Sequence, residues 1–167
     1  MCYPSPTMDI VEELLRRAEA RANFGVPAPP RLGVAIVTCM DARIDPVRIF
    51  GLEPGDAHVL RNAGGAVTDD VIRSLLLSQR LLGTRAVMVI HHTRCGALGL
   101  AEEKVKSEIQ SEVGLRPPFA LEGFNDDLAA EVRHSVARIR QSPFLPHRGT
   151  VRGFVLDVDD GRLREVV

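Results

Sequence analysis

The chain has 167 residues, 45% apolar and 26% charged, enough for one domain of ordinary size that buries its own core without disulfide staples. Lys and Arg number 21 against 22 Asp and Glu, a formal charge of −1 that excludes the basic footprint of a nucleic-acid or anionic-membrane binder. Trp is absent, no apolar run reaches the roughly 20 residues of a membrane span, and residues 1–8 lack the basic and apolar regions of a secretory signal, so a soluble cytoplasmic protein is expected.

Residues 9–22 read as a helix, with Ile10, Val11, Leu14, Leu15 and Ala18 at helical spacing and Asp9 and Glu12 placed as a capping box. Residues 25–30 form a turn-rich linker, so 1–30 is an arm leading into a single domain that takes in the whole chain, 1–167. Residues 33–38 are a short continuous apolar run, the pattern of a strand buried on both faces, and Cys39 follows it. Asp45-Pro46 starts a short helix closed by Gly51. Residues 57–60 are a second strand, and 61–65 (Arg-Asn-Ala-Gly-Gly) a loop. Thr68 caps a helix over 68–82 whose dipole Asp69 and Asp70 complement and which Gly83 ends. Residues 86–90 are a third strand, running into His91-His92. A helix is expected over 96–111, a loop over 113–123 and a helix over 126–140. A strand over 151–158, a turn at Asp159-Asp160-Gly161 and a strand over 162–167 complete the chain. The alternation predicts an α/β fold, with a mostly parallel central sheet flanked by helices and a C-terminal antiparallel hairpin at its edge.

Three cysteines cannot all pair, and Cys2 lies in a Pro/Ser-containing tail. Cys39 and the His91-His92 pair stand at the carboxyl ends of strands, where ligands gather in open parallel sheets. If the chain leaves its strand still extended, Cys39, Asp41 and Arg43 share one face, and Asp41 and Arg43 form a charge-assisted pair. His92 and Cys95, three apart, face one direction on a turn. His91 reads as a packed or hydrogen-bonded residue. Two parallel strands in one sheet would deliver Cys39, His92 and Cys95 to the same edge as two thiolates and an imidazole, good zinc ligands. Three protein ligands with an exchangeable fourth position is the arrangement of a catalytic zinc. Water, substrate or Asp41 could complete it.

Cys-Met-Asp-Ala-Arg after one buried strand, Arg-Asn-Ala-Gly-Gly after the next, and His-His-Thr-x-Cys-Gly resemble the β-class carbonic anhydrases of the short bacterial and archaeal type, including the 53 positions between Cys39 and His92. The resemblance covers residues 33–96 and 151–167. It implies one Zn2+ per chain held by Cys39, His92 and Cys95, with Asp41 and Arg43 as a catalytic dyad and a homodimer or dimer-based oligomer as the active unit. Asp41 carries two roles, since the family shows it both ligating zinc and paired with the arginine. The implied reaction is reversible hydration of CO2, a small neutral substrate, to bicarbonate and a proton. Zinc-bound hydroxide would attack, aimed by Asp41, which Arg43 keeps ionised, while the backbone N–H of Gly96 meets the substrate oxygen. Arg94 departs from the small or acidic residue frequent at its position, and residues 102–124 match only loosely.

Arg61 is expected to support backbone. His58 is expected in a strand or interface, less so as a proton shuttle, and His134 and His147 are expected to face solvent. A related zinc hydrolase of COS or CS2 is the nearest alternative, and a non-catalytic zinc or redox-sensing protein another. The absence of Gly-x-Gly-x-x-Gly and of a phosphate-binding Gly-rich loop argues against a nucleotide-binding module.

Overall fold

A computed structural model describes residues 10–19 and 25–167. Cys2, the capping residue expected at Asp9 and the last turn expected for the first helix lie outside them. The helix α1 (Ile10–Glu19) leaves Ile10, Val11, Leu14 and Leu15 each more than half exposed. Among the described residues no helix is long and apolar enough to cross a membrane.

A five-stranded sheet organises the rest: β1 (Val34–Cys39), β2 (Ala57–Asn62), β3 (Ala86–His92), β4 (Thr150–Leu156) and β5 (Leu163–Glu165), in the order β2-β1-β3-β4-β5. All neighbours are parallel except β4 and β5, as expected. Alternation along the strands splits the core in two. Ala35, Val37, Val87, Val89 and Val151 pack against α3 (Asp69–Leu82) and α5 (Leu128–Gln141) through Val71, Leu75, Val136 and Ile139. Ile36, Ile90, Phe154 and Leu156 form the other face, joined by Ile44, Cys39 and Cys95. Gly153 of β4 sits where α5 crosses closely, since a Cβ there would lie 2.4 Å from Val132 Cγ1.

The helix ends follow the local chemistry. Asp45 accepts hydrogen bonds from the N–H groups of Val47 and Arg48 to open α2 (Pro46–Phe50), and Gly51 closes it in the left-handed region. Thr68 accepts from the Val71 N–H to open α3.

Several boundaries differ from expectation. Arg61 and Asn62, read as loop, are strand residues, because they continue the register opposite Thr38 and Cys39. Residues 96–101, read as helix, form turns, with Gly99 at φ 65°, and α4 (Glu102–Val113) begins only after them. The regular ladder of the last two strands covers Phe154–Leu156 and Leu163–Glu165, short of the expected limits, although backbone bonds from Asp157 N–H to the Arg162 carbonyl and from Gly153 N–H to the Val167 carbonyl carry the pairing further at both ends.

Candidate metal centre

The parallel register carries the end of β1 and the end of β3 to the same sheet edge. Cys39, His92 and Cys95, all buried, bring their ligand atoms within 4.8 Å of one another there, and the two Sγ atoms are 3.9 Å apart. Tetrahedral bonds of about 2.3 Å to one ion, as zinc makes to thiolates, would place two sulfurs about 3.8 Å apart. The imidazole fits the same ion. His92 Nδ1 lies 2.9 Å from the carbonyl of Thr93, which accepts only, so Nδ1 carries the proton and Nε2 the lone pair. Nε2 is fully buried and has no hydrogen-bond partner among the described residues. A buried orphan acceptor beside two thiols suits a cation. Burial pushes the Cys95 thiol up, with a further push from Cys39, and it pushes His92 down. The first shift opposes formation of the thiolate and the second favours the neutral ring; an ion would supply the charge that draws off the thiol protons.

Asp41 and Arg43 meet beside this cluster. Arg43 Nε donates to Asp41 Oδ1 at 2.9 Å and Nη2 to Oδ2 at 2.6 Å. Extended alternation does not bring them together, contrary to expectation. The chain turns after Asp41, with Ile44 N donating to the Asp41 carbonyl, and Arg43 N donates to Asp41 Oδ1 at 2.9 Å. These bonds, the guanidinium's first, hold the Asp41 carboxyl well below the usual carboxylate range and raise Arg43 above its own. Asp41 Oδ2 stands 3.9 Å from His92 Nε2.

A cleft of about 370 Å³ opens onto the cluster, lined by Cys39, Asp41, Cys95 and Gly96 together with apolar Ala63, Ala97, Leu100 and Leu121. Gly96 is exposed with nothing crowding its α-carbon. Reasoning from sequence missed Leu100, in the stretch read as helix, and Leu121, in the loosely matching segment, because nothing local signals the bridge between Leu98 and Phe124. Gly65, at φ 71°, presses on the end of β1, where a Cβ would fall 2.7 Å from the Thr38 carbonyl carbon.

The remaining candidates fall outside the cluster. Arg61 donates to the carbonyls of Cys39 and Asp41, supporting backbone as expected. His91 is fully buried, stacks on Phe124 at 4.5 Å and reaches Ser135 Oγ; burial pushes its pKa down to about 4, so it is neutral near pH 7. His58 pairs with Ser78 Oγ at 2.8 Å. His134 is exposed on α5 and His147 half-buried. Arg94 turns to solvent and ion-pairs with Asp159.

A family model described as carbonic anhydrase matches residues 34–163. Beta-carbonic anhydrase 1 of Mycobacterium tuberculosis is 50% identical over 141 residues, covering 84% of this chain and 86% of that protein. The carbon disulfide hydrolase of Saccharolobus solfataricus is 33% identical over 180 residues, covering 92% and 87%. A crystal structure of carbonic anhydrase from Streptococcus mutans superposes with a TM-score of 0.88 at 38% identity, covering 96% of this chain and 99% of that one.

Proposed function

The chain belongs to the β-carbonic anhydrase family, and on that premise we propose that it hydrates CO2 reversibly to bicarbonate and a proton with one zinc ion held by Cys39, His92 and Cys95. The observation that carries this reading is the buried Nε2 of His92, without a hydrogen-bond partner among the described residues, grouped with two thiols and 3.9 Å from the Asp41 carboxylate. When bound, zinc supplies Lewis acidity that lowers the pKa of water towards about 7.

The chain's own residues then divide the work. Asp41, kept ionised, accepts a hydrogen bond from the attacking oxygen and points its lone pair into the cleft. Arg43 fixes the orientation of that carboxylate through two hydrogen bonds. Ala63, Ala97, Leu100 and Leu121 give the cleft an apolar wall suited to a neutral molecule. The Gly96 N–H is offered to a substrate oxygen as charge develops on it.

The active unit in this proposal is a homodimer or an assembly of dimers. The exposed Ile10, Leu14 and Leu15 on α1, and a groove of about 420 Å³ lined by Val47, Leu52, Pro54, Ala57 and Val59, are apolar surfaces that a second copy would cover. Residues 1–30 act as the arm of one domain spanning the chain. A cytoplasmic location suits two thiols that must stay reduced to bind metal.

A second reading keeps the metal and changes the substrate to COS or CS2, favoured by the 33% identity to carbon disulfide hydrolases. Stopped-flow CO2 hydration and CS2 hydrolysis, measured on one zinc-loaded preparation, separate the two. Turnover of CO2 supports the main reading. Turnover of CS2 alone replaces it with the second.

A further inference from the structure

Arg43 has an anchor besides Asp41. Its Nη2 also donates to the main-chain carbonyl of Arg94 at 3.0 Å. Arg94 occupies the left-handed region at φ 52°, which is disfavoured for a residue bearing a Cβ and persists where the surroundings enforce it. The Arg94 side chain ion-pairs with Asp159, in the turn between β4 and β5. Thr93 ties the same two segments, its N–H donating to the Leu156 carbonyl at 3.0 Å and its hydroxyl accepting from the Val158 N–H at 3.1 Å. A chain of contacts therefore runs from Asp159 through Arg94 and Arg43 to the Asp41 carboxylate.

We propose that Arg94 and Asp159 are positioning residues: their ion pair fixes the Arg94 carbonyl, which with Asp41 grips the Arg43 guanidinium and keeps Asp41 on Arg43 instead of on the metal. This rests on the reading of Cys39, His92 and Cys95 as a metal centre with Asp41 beside it. Arg43 is 45% exposed at its side chain, so with one anchor lost it has solvent to swing into. Asp41, released, has its Oδ2 already 3.9 Å from His92 Nε2. The carboxylate would then take the position that substrate or an anion needs.

The test uses cobalt(II)-loaded protein, whose visible absorption reports the ligand set, titrated with azide. Arg94→Ala and Asp159→Asn should each weaken azide binding three- to tenfold and shift the cobalt spectrum in the same direction. The two variants change local charge in opposite senses, so simple attraction of the anion would move them oppositely, and that outcome overturns the proposal. The exchanged pair R94D/D159R and the conservative Arg94→Lys should return azide affinity to within twofold of the starting protein. Adding Asp41→Asn to Arg94→Ala should restore azide binding, which a purely structural effect of Arg94 would not allow. Unchanged affinity in both single variants, or weakening that persists without the Asp41 carboxylate, also overturns the proposal. If the unaltered protein takes up no cobalt, the metal-centre reading fails and this proposal with it, whereas cobalt uptake with no azide binding leaves the metal centre standing and overturns the proposal alone. That failure is visible before any Arg94 variant is made.

Discussion

Asp41 Oδ2 and Arg43 Nη2 lie 2.6 Å apart, while the backbone N–H of Arg43 reaches the other oxygen of the same carboxylate at 2.9 Å. One residue thus holds both oxygens of another, by side chain and by main chain, at the lip of the cleft. Such a grip keeps the carboxylate ionised and its direction set. Asp41→Asn is expected to keep its metal and lose CO2 hydration by about 100-fold or more in kcat, the scale of a positioned proton acceptor. Metal analysis and stopped-flow kinetics on the same sample check this. Full activity in Asp41→Asn would end the dyad mechanism.

Cys39→Ser and Cys95→Ser are expected to fall well below one zinc per chain, because each removes a thiol from the three-residue group. Chelation of the unaltered protein should lower its melting temperature by several degrees, since an ion that binds the folded state alone stabilises it by mass action. Calorimetry before and after zinc is restored reads this out. A melting temperature indifferent to zinc would contradict it.

One carboxylate ties the turn entering β2 to the segment before β1. Asp56 accepts from Arg31 Nε at 2.8 Å and from the Glu53 N–H at 3.0 Å, and these bonds, the backbone one first, lower its pKa. A folded-state pKa below the unfolded value, about 3.9, means that the unfolded chain binds the proton more readily. The stabilisation is therefore complete above that value and is lost as pH falls through the folded one. Asp56→Asn should lower the urea midpoint at pH 7 and flatten its decline between pH 5 and 3. A decline as steep as that of the unaltered protein would rule Asp56 out as a contributor.

Gly65→Ala and Gly114→Ala make a matched pair. Both glycines have positive φ, but a Cβ at Gly65 falls 2.7 Å from backbone while one at Gly114 meets nothing within 4 Å. Gly114→Ala should cost about 1–2 kcal/mol, the left-handed backbone penalty alone. Gly65→Ala adds overpacking against the strand that ends in Cys39, for a total of about 2–5 kcal/mol. Urea denaturation of the two variants measures the difference, and equal costs would contradict the close approach.

Local chemistry explains which parts could be read from the chain alone. The buried strands before Cys39 and His92, the Asp45 and Thr68 caps and the glycine stops at 51 and 83 each depend on neighbours within a few residues, and each occurs as expected. The meeting of Cys39 with His92 and Cys95 followed from parallel strands alone. Gly99 and the bridge between Leu98 and Phe124 replace the helix expected there, since a contact across 26 positions overrides helical spacing. Leu121 entering the cleft, and Asp159 answering Arg94 from 65 positions away, have no local signature. Arg43 reaches Asp41 as expected but through a turn, because a side-chain bond to a main-chain N–H two residues on competes with the extended chain.

The most direct test of the central claim is stopped-flow CO2 hydration at alkaline pH by protein first stripped of metal and then given one equivalent of zinc. Activity absent in the stripped protein and restored by zinc, with Cys39→Ser inactive under both conditions, is the predicted result. No CO2 hydration by zinc-loaded protein, or hydration that survives both stripping and Cys39→Ser, would contradict it.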